Sequence, residues 1–334
     1  MKSEDFIING DLSILQDKVV SVIGYGNQGQ AQGLILKDNG INVIMGNIKD
    51  ASWDQAVKDG FDVYDIEEAV RRSDVALFLV PDEVAPAVYY TKLEPEIKQK
   101  AHFILDFASG YNITYGLIKP LSNTDLIMVA PRMIGQGILH LHEQRRGYPV
   151  LLGVAQDASG KAWEYTKALA KGIGAISLPG GVGLKSSFDE ETMLDLLTEH
   201  TGAPITAAAM QAYFEVVTQE YGLSPEAAIL ELYASGERAE TARLMAEIGL
   251  FEQLPVHSRT SQYGQLTRTQ HYYPKIKEWV REAAAQIWNG QFAREWAADQ
   301  AAGRVVLNRM LKLARNNNLA KAEDRLYKVL GRRK

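Results

Sequence analysis

Two constellations in this chain have the residue types and spacing for chemistry. The first is Gly24, Gly26 and Gly29, spaced G-x-G-x-x-G within KVVSVIGYGNQGQAQ. The first glycine permits a tight turn, the second lets a pyrophosphate approach the backbone, and the third lets a helix pack on a strand. Tyr25, Asn27 and Gln28 complete the turn, and the amides of the following helix would face the phosphates. The second is Asp195 and Glu199, within FDEETMLDLLTEH at 188–200. Carboxylates four apart share a helix face and repel unless a cation lies between them. Oxygen-only ligands suit Mg²⁺. The same spacing describes a solvated acidic face, although Leu194, Leu196 and Leu197 give Asp195 partly apolar surroundings. Glu231 and Glu237, on a later helical segment, would complete an oxygen-rich site.

The glycine turn requires a strand before it and a helix after it. An apolar run, Val19 to Ile23, precedes it, and a helix-like stretch, Gln30 to Lys37, follows. Further strands are expected at 42–45, 75–80, 102–107, 126–130 and 150–154, the last closing the set, with a helix at 67–72. Such alternation predicts a parallel sheet with ligands at the strands' carboxyl ends. Those ends fall at 81–85, 108–112 and 131–137, and the first holds Pro81, Asp82 and Glu83. At the end of the second strand, an acid would bind the ribose of NAD and a basic residue the 2′-phosphate of NADP. No acid stands directly after Met45, and Lys49 and Ser52 offer a charge and a hydroxyl, which favours NADPH over NADH. Asp50 could equally serve a ribose.

Beyond Leu178 a glycine-rich joint, PGGVG, leads into a helical remainder, patterned at 189–200, 203–221, 225–248, 274–290 and 291–311. Two domains are therefore expected, 1–182 for the dinucleotide and 183–330 for the helices. The composition, 46% hydrophobic and 23% charged over 334 residues, is that of a globular enzyme. Net charge is −5, and basic residues crowd only in the tail Gly331–Lys334, which argues against a nucleic-acid partner. The absence of cysteine removes disulfides and thiolate chemistry. No run of 18 apolar residues occurs and MKSEDFIING lacks an apolar core, so a cytoplasmic protein without a membrane partner is expected.

Along nearly its whole length the chain resembles the ketol-acid reductoisomerases, also called acetohydroxyacid isomeroreductases. The resemblance is carried in order by GYGNQGQA at 24–31, PDE at 81–83, FASGYNI at 107–113 and AP at 130–131. It continues through QDASG at 156–160, KGIG at 171–174, FDEET at 188–192 and FAREW at 292–296. It implies a Rossmann domain followed by an all-α, knotted domain that forms a homodimer. It also implies NADPH, a magnesium pair and a 2-keto acid substrate with a neighbouring hydroxyl. In that family the metals promote an alkyl migration, and hydride transfer to the new ketone follows. Asp195 and Glu199 match the first two metal carboxylates, Ser258 the substrate-binding serine, and Gly135 the last glycine of a Gly-Pro-Gly stretch.

The departures cluster at the chemical centre. Ser109 replaces a histidine, so that position loses a group titrating near neutrality. Arg132 replaces a lysine, keeping charge without a transferable proton. Gln262 replaces a glutamate. Glu231 and Glu237, aligned with two metal glutamates, are six apart rather than four, and Gly236 lies between them. In an unbroken helix that spacing rotates them by about 240°, so either Gly236 restores the geometry or one ligand is lost. These substitutions at Ser109, Arg132 and the glutamates, beside an intact cofactor turn, imply an NADP-dependent reductase acting on a 2-keto acid or related ketone or imine. An authentic ketol-acid reductoisomerase converting 2-acetolactate is the alternative, and a non-catalytic dinucleotide-binding protein a second.

Overall fold

The computed structural model describes residues 5–333, so the start of the N-terminal stretch and Lys334 of the basic tail lie outside the described residues. The chain forms two compact units that divide between Leu194 and Asp195.

The first unit is built on one nine-stranded sheet. Its strands are β1 (Phe6–Ile7), β2 (Val19–Ile23), β3 (Asn42–Gly46), β4 (Asp62–Tyr64), β5 (Val75–Phe78), β6 (Phe103–Phe107), β7 (Thr124–Pro131), β8 (Pro149–Gln156) and β9 (Val182–Lys185). They lie in the order β1-β9-β8-β7-β6-β5-β2-β3-β4. The principal helices are α1 (Asn27–Asp38), α2 (Ala51–Lys58), α3 (Ile66–Arg72), α4 (Gly135–Glu143) and α5 (Ala162–Gly172), followed by α6 (Phe188–Leu197). Val20, Val22 and Leu77 face one apolar layer, and Ile23, Ala76 and Phe78 face the other. Both faces are covered, which is why the central strands read as continuous apolar runs.

The expectation of a parallel sheet needs correction. Strands β2 to β7 are parallel to their neighbours, but β8 runs antiparallel to β7 and β1 antiparallel to β9. An apolar run does not encode its own direction. The return does: the Arg132 amide donates to the Pro149 carbonyl, so the chain re-enters the sheet beside the end it left. Nor does Val150–Val154 close the set, since β9 pairs beyond it. Strands β1, β4 and β9 have two to four residues each, too few for a periodic signal.

The second unit is helical among the described residues: α7 (Ala203–Glu215), α8 (Pro225–Ile229), α9 (Glu237–Ile248), α10 (Arg259–Trp288), α11 (Gln291–Ala301), α12 (Val305–Ala314) and α13 (Asn318–Val329). Wide π turns interrupt these helices at Thr198–Gly202, Val216–Glu220 and Leu230–Ala234. The expected helix at 225–248 is broken, because Gly236 adopts a left-handed conformation (φ +93°) ahead of α9. The expected start at Pro274 is also superseded: Pro274 sits inside a 30-residue helix that begins at Arg259. A small core gathers Phe214, Ile229, Leu232 and Leu326.

In the first unit, the end of β6 touches the start of α6. A Cβ added at Gly110 would lie 2.2 Å from the Phe188 carbonyl oxygen. Gly110→Ala is expected to cost about 1–3 kcal/mol, the usual range for overpacking. Urea unfolding that placed the variant within error of the wild type would contradict this reading of the contact.

Candidate functional site

The order β6-β5-β2-β3 places a topological switch at β2, where doubly wound sheets open a crevice beyond the strands' carboxyl ends. A cleft of about 790 Å³ occupies that place. It is lined by Gly24, Tyr25, Gly26, Asn27 and Gln28 from the turn after β2, and by Asn47, Ile48, Asp50 and Ser52 from the loop after β3. Pro81 and Asp82 line it after β5, and Ala108, Ser109 and Asn112 after β6.

The three glycines of the turn are required for different reasons. Gly24 has φ +96°, and its amide donates to the Gly46 carbonyl. A Cβ at Gly29 would fall 2.0 Å from the Gly24 carbonyl oxygen, so helix and turn meet too closely for a side chain. Gly26 differs. Its backbone is extended (φ −88°, ψ −157°), and a Cβ there would meet nothing within 4 Å. The protein itself does not demand glycine at this cleft position, whereas a pyrophosphate lying on the turn would. The residues present therefore fit a dinucleotide.

The turn is braced from behind. Asn27 Oδ1 accepts from the Gly135 amide at 2.6 Å, and Gln28 Nε2 donates to the Met133 carbonyl at 2.9 Å. Gly135 thus supports the turn rather than joining the residues that line the cleft. After β3, Asp50 caps α2: Oδ1 accepts from the amides of Ser52 and Trp53 and from Asn47 Nδ2. Lys49 is not among the lining residues; its ammonium lies 5.8 Å from the Trp53 ring centroid. Glu83 also stands outside the lining, whereas Asn112 Nδ2 donates to the Asp82 carboxylate at 3.1 Å.

The structure adds a residue to which sequence reasoning gave no role. Glu191, only 1% exposed, accepts from the Gly110 amide at 2.7 Å and from Arg132 Nη2 at 2.8 Å. It joins the loop after β6, with Ser109, to the end of β7, with Arg132. The available signal was its position four residues before Asp195, inside the matched FDEET run. Ser109 Oγ accepts from the Tyr111 amide at 3.3 Å.

Of the remaining candidates, Asp195 and Glu199 are brought together. Burial raises the pKa of Glu199, and the Asp195 charge raises it further. Glu231, in the π turn before Gly236, and Glu237, in the first turn of α9, are both exposed. Among the described residues of one chain, no three His, Cys, Asp or Glu side chains are grouped to hold a metal ion. Ser258 caps α10, its hydroxyl accepting from the Ser261 amide.

The openness at Gly26 separates folding from binding. Gly26→Ala is expected to unfold within about 0.5 kcal/mol of the wild type, while the stabilisation given by added NADPH disappears. Thermal melts with and without the dinucleotide check both halves, and an intact NADPH-induced shift would show that nothing approaches the backbone there.

Two family models match the chain. Residues 14–178 match the NADPH-binding domain of acetohydroxy acid isomeroreductase, and residues 188–331 the C-terminal domain of ketol-acid reductoisomerase. A Saccharolobus solfataricus protein named "Putative ketol-acid reductoisomerase 3" is 55% identical over 327 residues, covering 98% of each chain. The ketol-acid reductoisomerase (NADP(+)) of Pyrobaculum arsenaticum is 38% identical over 332 residues, 97% of each. Among solved structures, an NADH-preferring ketol-acid reductoisomerase from an uncultured archaeon has a TM-score of 0.89 at 33% identity, covering 98% of this chain and 99% of that one. Both halves of the chain thus find counterparts in the same relatives: the chain belongs to the ketol-acid reductoisomerase family, whose members are NAD(P)H-dependent oxidoreductases.

Proposed function

We propose that the protein reduces a 2-keto acid or a related ketone or imine with NADPH, and that isomerisation of 2-acetolactate is weak or absent. The observation behind this is the Ser109–Glu191–Arg132 cluster, where a hydroxyl and an ion-paired guanidinium stand at two positions the family fills with proton-exchanging side chains. Neither a serine hydroxyl nor a guanidinium changes its protonation state near neutral pH. Alkyl migration needs groups that manage a hydroxyl proton, whereas reduction needs positioning and one hydrogen-bond donor.

The cofactor supplies the hydride when bound. Gly24, Tyr25, Gly26, Asn27, Gln28 and Gly29 would hold its pyrophosphate. Asp50 spends one carboxylate oxygen on capping α2, and Ser52 lines the cleft beside it, which supports NADPH. Lys49 would have to leave the Trp53 ring to assist. Ser109 donates a hydrogen bond to the substrate oxygen, and Arg132 attracts the substrate carboxylate. Asp195 and Glu199 would bind Mg²⁺, a cation that polarises substrate oxygens. The domain division proposed is 1–182 and 183–330, and the compartment the cytoplasm.

A second reading, an authentic ketol-acid reductoisomerase, is favoured by the closeness of Asp195 and Glu199 and by the names of relatives that match over nearly the full length. The two are separated by turnover with Mg²⁺ and either NADPH or NADH, on 2-acetolactate and on a panel of 2-keto acids and imines. The expected outcome is NADPH-dependent reduction of a panel member with little turnover of 2-acetolactate. A rate on 2-acetolactate on the order of 1 s⁻¹ or more, ordinary for an enzyme, would establish the second reading instead.

We further propose a homodimer through the helical half, with Glu231 or Glu237 of a second copy completing the metal site. This half leaves Tyr263, Trp279, Trp288, Val305, Val306 and Met310 exposed. Light scattering at micromolar concentration is expected to return twice the chain mass of 37.0 kDa, and a monomer there would rule the shared site out.

A further inference from the structure

Behind the cleft, one carboxylate collects three side-chain donors. Asp59 is the C-cap residue of α2. Its Oδ2 accepts from Tyr25 Oη at 2.7 Å and Gln30 Nε2 at 3.0 Å, and its Oδ1 accepts from Gln55 Nε2 at 2.8 Å. The donors come from three elements: the glycine turn, the first turn of α1, and α2. Tyr25 is 4% exposed and stands edge-on to Phe61, so its hydroxyl reaches Asp59 from a fixed ring. Lys37 donates to the Gly60 carbonyl at 2.7 Å beside the same corner.

Tyr25 lines the cleft, and Asp59 ends the helix whose N-cap residue, Asp50, lines another wall of it. Tyr25 stands between Gly24 and Gly26, and α2 begins directly after the loop holding Asp50. A second, longer tie joins the same walls, the Tyr25 amide donating to Asn47 Oδ1 at 3.4 Å. Remove the Asp59 carboxylate and the Tyr25 hydroxyl, Gln30 and Gln55 lose a common acceptor, which leaves the turn only the longer Asn47 tie.

We propose that Asp59 is a positioning residue for cofactor binding: through Tyr25 Oη it fixes the glycine turn at the separation from the α2 loop that a dinucleotide requires. This rests on the reading that the turn holds the cofactor pyrophosphate. Asp59 touches no ligand itself, so its effect falls on affinity and not on the hydride step.

The test is the Kd of NADPH, read by fluorescence titration at 25 °C on the full-length protein. The variants are Asp59→Ala, Asp59→Asn, Tyr25→Phe and the double change Asp59→Ala/Tyr25→Phe. Asp59→Ala is expected to weaken binding about tenfold, the equivalent of one lost hydrogen bond of ordinary strength, with kcat at saturating NADPH unchanged. Asp59→Asn, which keeps an acceptor for Tyr25, should recover part of the loss. Tyr25→Phe should weaken binding in the same direction, and the double variant should match Asp59→Ala alone, the non-additivity of a shared interaction. An unchanged Kd in Asp59→Ala beside a lower melting temperature would make the residue merely structural and overturn the proposal. Additive losses would overturn it too. Gly26→Ala distinguishes the two layers. If it leaves NADPH binding intact, the pyrophosphate reading falls and the proposal with it; if it abolishes binding while Asp59→Ala does not, only the role of Asp59 falls.

Discussion

A carboxylate buried without partners is among the most costly things a fold can contain, and Glu191 is a buried carboxylate at the end of two strands. It obtains its donors from the Gly110 backbone and the Arg132 guanidinium. That requirement holds the loop after β6, the end of β7 and the start of α6 at fixed separations. Gly110 must lack a side chain because α6 comes so close, and α6 comes close because Glu191 must reach both donors. Ser109 and Arg132 stand on the two segments that this carboxylate ties together.

The cofactor end of the cleft is organised differently. Its walls are shaped by backbone proximity and by amide and carboxamide side chains rather than by a buried ion pair. Asn27 and Gln28 grip the segment at 133–135, and Asp50 and Asn47 lock the loop after β3. Such bonds are individually modest but directional, which suits a surface that must present amides at set positions. The two regions thus differ in kind: one is held by directional amide and carboxamide bonds, the other by a buried ion pair.

Much of this was legible in the chain alone. The strand–turn–helix around Gly24 was readable because the demands at Gly24 and Gly29 are local, and β5 and β6 were readable because burial on both faces writes an unbroken apolar run. The antiparallel β8 was not, since its direction depends on the return at Arg132–Pro149 and not on its own residues. The role of Glu191 was hidden for a related reason: in sequence it belongs to an acidic helix, and only its distant partners at Gly110 and Arg132 set it apart. At Gly236 the sequence left two outcomes open, a bulge that restores one face for Glu231 and Glu237 or the loss of one ligand. The left-handed Gly236 places Glu231 and Glu237 on separate helical segments.

Pro274 has a consequence for how the longest helix holds its order. A proline inside a helix has no amide to give the carbonyl four residues earlier, here Gln270, and its ring crowds that carbonyl. Near the middle of α10 the hydrogen-bond ladder therefore lacks a rung. Each stretch on either side is close to the length at which an isolated helix is marginal in water. The stretch that begins at the Ser258 cap therefore receives no hydrogen bond from the Pro274 position. α10 is thus one continuous helix built of two hydrogen-bonded stretches that share an axis and meet at Pro274.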